Sequence, residues 1–337
     1  MLQSLAQGLT RRVRDMVARV MSSVLPRGLM ADPRYAELWE RKGLHITPVG
    51  LYSPIPSLHD LRELDTEQHS AMVGIDLNLE GQLRFLQEAA QEYASECTFP
   101  TEPSSAPYAF HLNSGFFESF DAEILYCMIR ARKPRLIIEI GSGYTTYLSA
   151  QASLANLQRE GHQTSLCAIE PFPNNTLKEG VPGLSRLIQQ PVQKVDLSRF
   201  QQLRENDILF IDSTHSVRTG SDVLTEYLEI LPRLRRGVLV HIHDVFLPRD
   251  YPTKWMKSLR WFPTEQYLLQ AFLCFNKAFE VTWASSAMAL RHADRLAKAF
   301  PQWQDSYVRM PARFKAHICS LDGRNVWPSS FWIRKVE

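Results

Sequence analysis

The 337-residue sequence has little of what marks several protein classes. Its five cysteines, Cys97, Cys127, Cys167, Cys274 and Cys319, are scattered and odd in number, and no two form a C-x-x-C pair, which excludes a zinc-finger or disulfide framework. A reducing compartment, the cytoplasm, is the expected location. Charge of one sign is not in excess. The 38 Lys+Arg and 36 Asp+Glu leave a formal net charge of +2, so nothing points to nucleic acid as a partner. No uninterrupted apolar run approaches the roughly 20 residues that span a bilayer, and no transmembrane span is expected. Repeats, low-complexity tracts, a G-x-S-x-G elbow, a Walker lysine motif and an H-E-x-x-H helix are all missing. The chemistries those motifs serve are therefore set aside. What remains is an ordinary globular composition, 45% hydrophobic and 22% charged, long enough for one elaborated α/β domain or two domains.

The first 26 residues carry Leu2, Leu5, Leu9, Val13, Met16, Val17, Val20 and Val24 at helical spacing, with Arg11, Arg12, Arg14 and Arg19 among them. The arginines interrupt any apolar secretory core. This amphipathic helix either docks on its own domain or makes peripheral contact with a membrane surface. Residues 31–75 are rich in turn signals. Residues 79–97 read as a helix, and Thr98–Pro107, with three prolines, as a loop.

From Leu136 the pattern alternates. Short apolar strands are expected at 136–140, 165–169, 185–188, 208–211 and 238–243, with helices between them and two more strands near 279–283 and 331–333. Alternation of this kind predicts a doubly wound, Rossmann-like, mostly parallel sheet. Right-handed crossovers place all the parallel strands' C-terminal ends, and hence the ligand, on one edge.

The polar residues at those strand ends carry the chemistry. Glu139-Ile140-Gly141-Ser142-Gly143-Tyr144-Thr145-Thr146 follows the first strand. Glycines there let backbone approach a ligand, and the following helix offers free N–H groups. Glu139 lies within an apolar strand, and Glu170 ends the next strand, where a carboxylate can accept both hydrogen bonds of a ribose diol. Thr146 stands where a dinucleotide fingerprint wants Gly or Ala, which argues against a nicotinamide-dependent oxidoreductase. A second group, Asp212-Ser213-Thr214-His215 and His241-Ile242-His243-Asp244, ends the fourth and fifth strands. Three readings stay open for it: a divalent-cation site, a metal-free general base at His215 or His243, or hydrogen bonds that only tie loops.

Residues 136–146 with Glu170 resemble the cofactor motifs of class I S-adenosylmethionine-dependent methyltransferases. Tyr52–Pro56, Asp207–His215, Ser221–Val223, His241–Pro248 and Glu265–Leu269 resemble one bacterial subfamily, methyltransferase family 24, over roughly residues 45–285. The pattern departs at Thr264, where that family has Asn. The resemblance implies a seven-stranded sheet with a reversed final hairpin. It implies that Glu139, Gly141, Ser142, Gly143 and Thr145 hold S-adenosylmethionine, with Asp212 beside it, Glu170 on the ribose and Gln193 and Lys194 near the adenine. Asp212, His215, His243 and Asp244 would be catalytic, and Asp212, His243 and Asp244 resemble a magnesium or manganese triad. O-methylation of a small-molecule or saccharide-containing acceptor is the implied reaction. The alternative is a methyltransferase-like scaffold that only binds a partner. Three segments are expected: an N-terminal helix over 1–30, an extension or substrate cap over 31–115, and a methyltransferase domain over 116–337 with an insertion near 285–328. The loop Phe246–Trp261, with Asp250, Tyr251, Pro252, Trp255 and Trp261, either walls the acceptor site or packs the extra helices. The acceptor's identity, O- against N-methylation and the oligomeric state are left open.

Overall fold

The computed structural model describes residues 2–24, 26–64 and 69–337, so Met1 and Leu25 of the expected N-terminal helix lie outside the described residues. The chain divides into two compact units, one through Leu64 and one from Asp65 onward.

The smaller unit contains helix α1 (Leu2–Val24) and short turns, including Leu58–Glu63, whose start is fixed by a reciprocal cap between Ser57 and Asp60. Val13, Met16, Val17, Val20, Met21 and Val24 form one stripe of α1 and stay at least 46% exposed. Among the described residues no helix is long and apolar enough to cross a membrane.

The larger unit is built on seven strands: β1 (Leu136–Ile140), β2 (Ser165–Ile169), β3 (Leu184–Ile188), β4 (Ile208–Ile211), β5 (Leu239–Ile242), β6 (Phe279–Ala284) and β7 (Phe331–Lys335). Their order is β3-β2-β1-β4-β5-β7-β6. Strands β1 to β5 are parallel, and β7 runs antiparallel to both β5 and β6. The expected Rossmann-like sheet and its reversed final hairpin are both present.

Period-two alternation of side-chain direction, with both faces buried, explains the layering. Ile137, Ile208, Phe210, Leu239 and Trp332 point into one core, and Ile138, Leu209, Val240, Ile242 and Ile333 into the other. Each such side chain contributes about 1.5–3 kcal/mol by leaving water. Helices α2 (Leu79–Tyr93), α3 (Asp121–Arg132), α4 (Tyr144–Glu160) and α6 (Ser285–Ala299) supply the first core, and α5 (Glu265–Leu273) the second. Residues from 69 to 115 thus belong to the sheet's own unit: Phe85, Leu86 and Ala89 of α2 are buried against it. The 3-10 turn Pro301–Trp303 buries Trp303 in the same core.

Strand order reverses between β1 and β4, which opens a crevice at their C-terminal ends. The ladder runs one residue past each strand there. Gly141 N–H donates to Ile169 O (3.0 Å), Asp212 N–H to Ile140 O (2.9 Å) and His243 N–H to Ile211 O (3.0 Å). Those bonds fix Gly141, Asp212 and His243 on one edge.

Candidate active site

The first cavity on that edge has a volume of about 380 Å³, and its wall is the β1–α4 turn together with Glu170 and Asp212. Gly141 has φ +79°, and a Cβ there would lie 1.8 Å from the carbonyl oxygen of Asp212, so glycine is required by conformation and by space. Gly143 lines the cavity, and a Cβ there would meet nothing within 4 Å. Glu170 Oε2 accepts from Ser142 N–H (3.2 Å) and Oε1 from Phe172 N–H (2.8 Å). Each oxygen keeps a lone pair for a further donor. Ser142 Oγ is buried without a partner. An orphaned hydroxyl, a glycine cradle and a part-buried carboxylate two bonds short of saturation fit the amino-acid and ribose ends of S-adenosylmethionine.

Glu139 sits elsewhere. It is fully buried behind the turn, with Oε1 accepting the Thr145 hydroxyl and Oε2 unpartnered. Burial pushes its carboxyl up to about 8, against the Thr145 and Thr146 hydroxyls that lower it. Thr146 Oγ1 in turn accepts Gly143 N–H at 3.0 Å. Glu139 therefore shapes the turn through threonines instead of lining the cavity. That also gives Thr146 a use that a third glycine would not have. Gln193 donates its amide to Gly220 O (3.1 Å), and neither it nor Lys194 lines this cavity. The cavity adds residues that the sequence reading did not select: Phe116, Phe117, Tyr144 and Asn174. Phe116 stacks on Tyr144 with ring centroids 5.3 Å apart and planes at 15°.

The second constellation adjoins the first through Asp212. His215 Nε2 lies 3.3 Å from Asp212 Oδ1 and 3.5 Å from Asp244 Oδ2, while His215 Nδ1 is 2.8 Å from Glu265 Oε2. His243 Nδ1 is 3.5 Å from Asp212 Oδ1 and 3.5 Å from Asp244 Oδ1. Glu265, the first residue of α5, is 1% exposed; it stood in the family pattern Glu265–Leu269 but had no role assigned, because it lies fifty positions from His215. Two loop bonds hold the meeting: the N–H groups of Thr264 and Glu265 both donate to His215 O. Thr264, where the resemblance departs, accepts Val217 N–H on its hydroxyl at 2.7 Å and so fastens the His215 loop. Both His215 (φ +55°) and Asp244 (φ +54°) have left-handed backbones, strain of about 1–2 kcal/mol each that collects at this site.

Electrostatics follow from the packing. Burial lowers the proton affinity of His215, but Asp212, Glu265 and Asp244 outweigh it and raise its pKa well above 6.5. Burial likewise opposes His243, and Asp244 with Asp212 raises it to about 9. Asp212 is pushed up by burial, yet His243 and His215 hold it well below the usual carboxylate range. His241 differs from both: burial and His243 lower it, it stacks on Phe210 at 3.9 Å, and its Nε2 meets Ser330 Oγ at 2.8 Å, so it is a neutral core residue.

The cation triad inferred from resemblance is not what these side chains form. Imidazole nitrogens occupy the approach to the Asp212 and Asp244 oxygens as ion-pair partners. Among the described residues no three His, Cys, Asp or Glu side chains are arranged to hold a metal ion. As placed, Asp212, His243 and Asp244 do not fit a magnesium or manganese ion.

Beside His215 and Asp244 lies a second cavity of about 410 Å³, walled by Trp255, Trp261 and Phe262. The aromatic loop both packs and lines a cavity. Trp255 and Tyr251 are buried, while Trp261 lines the cavity and stays 47% exposed.

The fold is that of a class I methyltransferase. Residues 138–245 match a family model described as a methyltransferase domain, of family 24. A protein of Archaeoglobus fulgidus is 31% identical over 201 residues, covering 57% of this chain and 86% of that one. Similar solved structures include an O-methyltransferase from Bacillus cereus in complex with S-adenosylhomocysteine (11% identity, TM-score 0.35, 75% of this chain and 91% of that one). Another is a TDP-rhamnose 3'-O-methyltransferase of calicheamicin biosynthesis (14% identity, TM-score 0.33, 74% of this chain and 93% of that one). The chain belongs to this methyltransferase family.

Proposed function

We propose that the chain binds S-adenosylmethionine on the Gly141–Gly143 cradle and methylates a hydroxyl of a small molecule held beside His215. The observation that carries this is Asp212. It lines the cradle cavity, and its Oδ1 lies 3.3 Å from the ring of His215, which lines the second cavity. A methyl donor and an acceptor would therefore meet at one carboxylate.

The bound cofactor supplies a methyl group already activated on a sulfonium, so the protein need only align the acceptor and move one proton. Glu170 and the Ser142 hydroxyl hold the donor's polar ends. Glu265 fixes the imidazole of His215 through Nδ1, as a buried carboxylate orients a general base. Asp244 and Asp212 would direct the acceptor hydroxyl toward His215 Nε2, which would take its proton, the methyl group being what the bound cofactor would supply. Because the carboxylates favour imidazolium, His215 must lose its proton before it acts, and turnover rises toward alkaline pH. Isothermal titration calorimetry with S-adenosylhomocysteine, in chelator, tests the cofactor reading. Micromolar binding supports it. The absence of heat with both S-adenosylmethionine and S-adenosylhomocysteine overturns it. A requirement for added magnesium or manganese would restore the cation at Asp212, His243 and Asp244.

A further inference from the structure

The acceptor cavity carries one feature that the methyl-transfer chemistry does not use. Arg260 lines it, yet among the described residues no carboxylate pairs with this guanidinium. Its contact is with the ring of Phe262, at 5.2 Å from the guanidinium carbon to the centroid. The single acidic side chain on the wall, Asp244, is already engaged by His215, His243 and the Ser329 hydroxyl. Among the described residues, the cation of this lining without a carboxylate partner is therefore Arg260, which stands exposed to solvent.

The backbone at Arg260 makes this residue choice conspicuous. It ends the π-helical turn Trp255–Leu259 with φ +59°, the left-handed conformation that a helix C-terminus ordinarily gives to Gly or Asn. Arginine is strained there. The wall beside it is stiff. Trp261 N–H donates to Trp255 O (2.8 Å), the Trp255 indole N–H donates to His317 O (2.8 Å), and His317 backs the Trp261 ring at 5.5 Å and 10°. A cavity of about 410 Å³ with a flat aromatic wall suits a single substituted ring.

We infer that the acceptor is a hydroxylated ring bearing a carboxylate or phosphate group, with the ring against Trp261, the anion on the Arg260 guanidinium and the hydroxyl at His215. The planar fork of arginine pairs with either anion through two parallel hydrogen bonds, and a cavity built for a neutral ring has no need of it. The inference rests on the acceptor reading of this cavity given under Proposed function.

The test uses the full chain saturated with S-adenosylhomocysteine and follows tryptophan fluorescence. The probes are 4-hydroxybenzoate, 4-hydroxyphenyl phosphate and, as the neutral counterpart, 4-hydroxybenzamide. Wild type should bind the two anions tenfold or more tighter than the amide. Arg260→Gly should erase that preference, leave amide binding unchanged, and unfold at the same or a higher denaturant concentration because the left-handed strain is relieved. Trp261→Ala should weaken all three probes. Equal binding of anion and amide by wild type, or an intact preference in Arg260→Gly, overturns the inference. So does a wild type that binds S-adenosylhomocysteine but none of the probes at millimolar concentration, and that outcome leaves the methyltransferase reading standing. A wild type that binds no S-adenosylhomocysteine removes both.

Discussion

Replacing Gly141 and Gly143 by alanine, one at a time, separates folding from binding at the cradle. At Gly141 the new Cβ would sit 1.8 Å from the Asp212 carbonyl oxygen, where an ordinary contact is 3.4 Å or more, and φ is +79°. The opposing atom is backbone in the β4 end, so a side-chain rotation cannot relieve it. Left-handed strain of about 1–2 kcal/mol adds to an overpacking cost of about 1–3 kcal/mol, and Gly141→Ala should lose roughly 2–5 kcal/mol of stability. Gly143 lines the same cavity, but its Cβ meets nothing within 4 Å. Gly143→Ala should change stability by about 1 kcal/mol at most, yet place a methyl group where the cofactor belongs, weakening S-adenosylhomocysteine about tenfold or more. Urea unfolding monitored by circular dichroism reads the first effect and calorimetry the second. Wild-type stability in Gly141→Ala, or wild-type affinity in a folded Gly143→Ala, refutes the reasoning.

Three further outcomes follow from the acid–histidine cluster. Asp212→Asn should lower turnover about a hundredfold or more, since it removes the carboxylate shared by both histidines, with S-adenosylhomocysteine affinity kept within a few-fold; the readout is S-adenosylhomocysteine formation with an accepted substrate. Glu265→Gln should cost a comparable factor in turnover through misoriented His215, and a variant with unimpaired turnover would remove Glu265 from the proton path. His243 is held near 9 in the folded chain against an ordinary 6.5, so the folded state binds the extra proton. Its contribution, on the order of 3 kcal/mol, is complete below pH 6.5 and lost as pH climbs through about 9. Urea unfolding over that window should show the loss, and His243→Asn should flatten it.

The sheet was legible because its strands are short apolar runs closed by a polar residue. β1, β2 and β4 have the expected bounds, since burial on both faces leaves no alternation to blur them. Gly141 was legible for a local reason as well: a turn that tight admits little else there. Glu139 was located but given the wrong neighbours, because a strand-end carboxylate can face either the ligand or the turn, and only packing decides. Arg260 carried no pattern of its own, and Glu265 stood in a family pattern that attached no role to it. Each acts through loops that meet only once β4, β5 and α5 are assembled. The aromatic loop was readable as a wall or as packing but not as both, which takes knowing that Trp255 is buried while Trp261 is half exposed.

The account turns on one carboxylate at the end of β2. Calorimetry of S-adenosylhomocysteine with wild type and Glu170→Ala addresses it most directly. Each Glu170 oxygen already accepts one backbone N–H, and a ribose diol would add a charge-assisted bond of about 1.5–3 kcal/mol. The prediction is micromolar binding by wild type and a loss of roughly ten- to a hundredfold in the variant. Binding of equal strength in both would place the cofactor elsewhere and contradict the account.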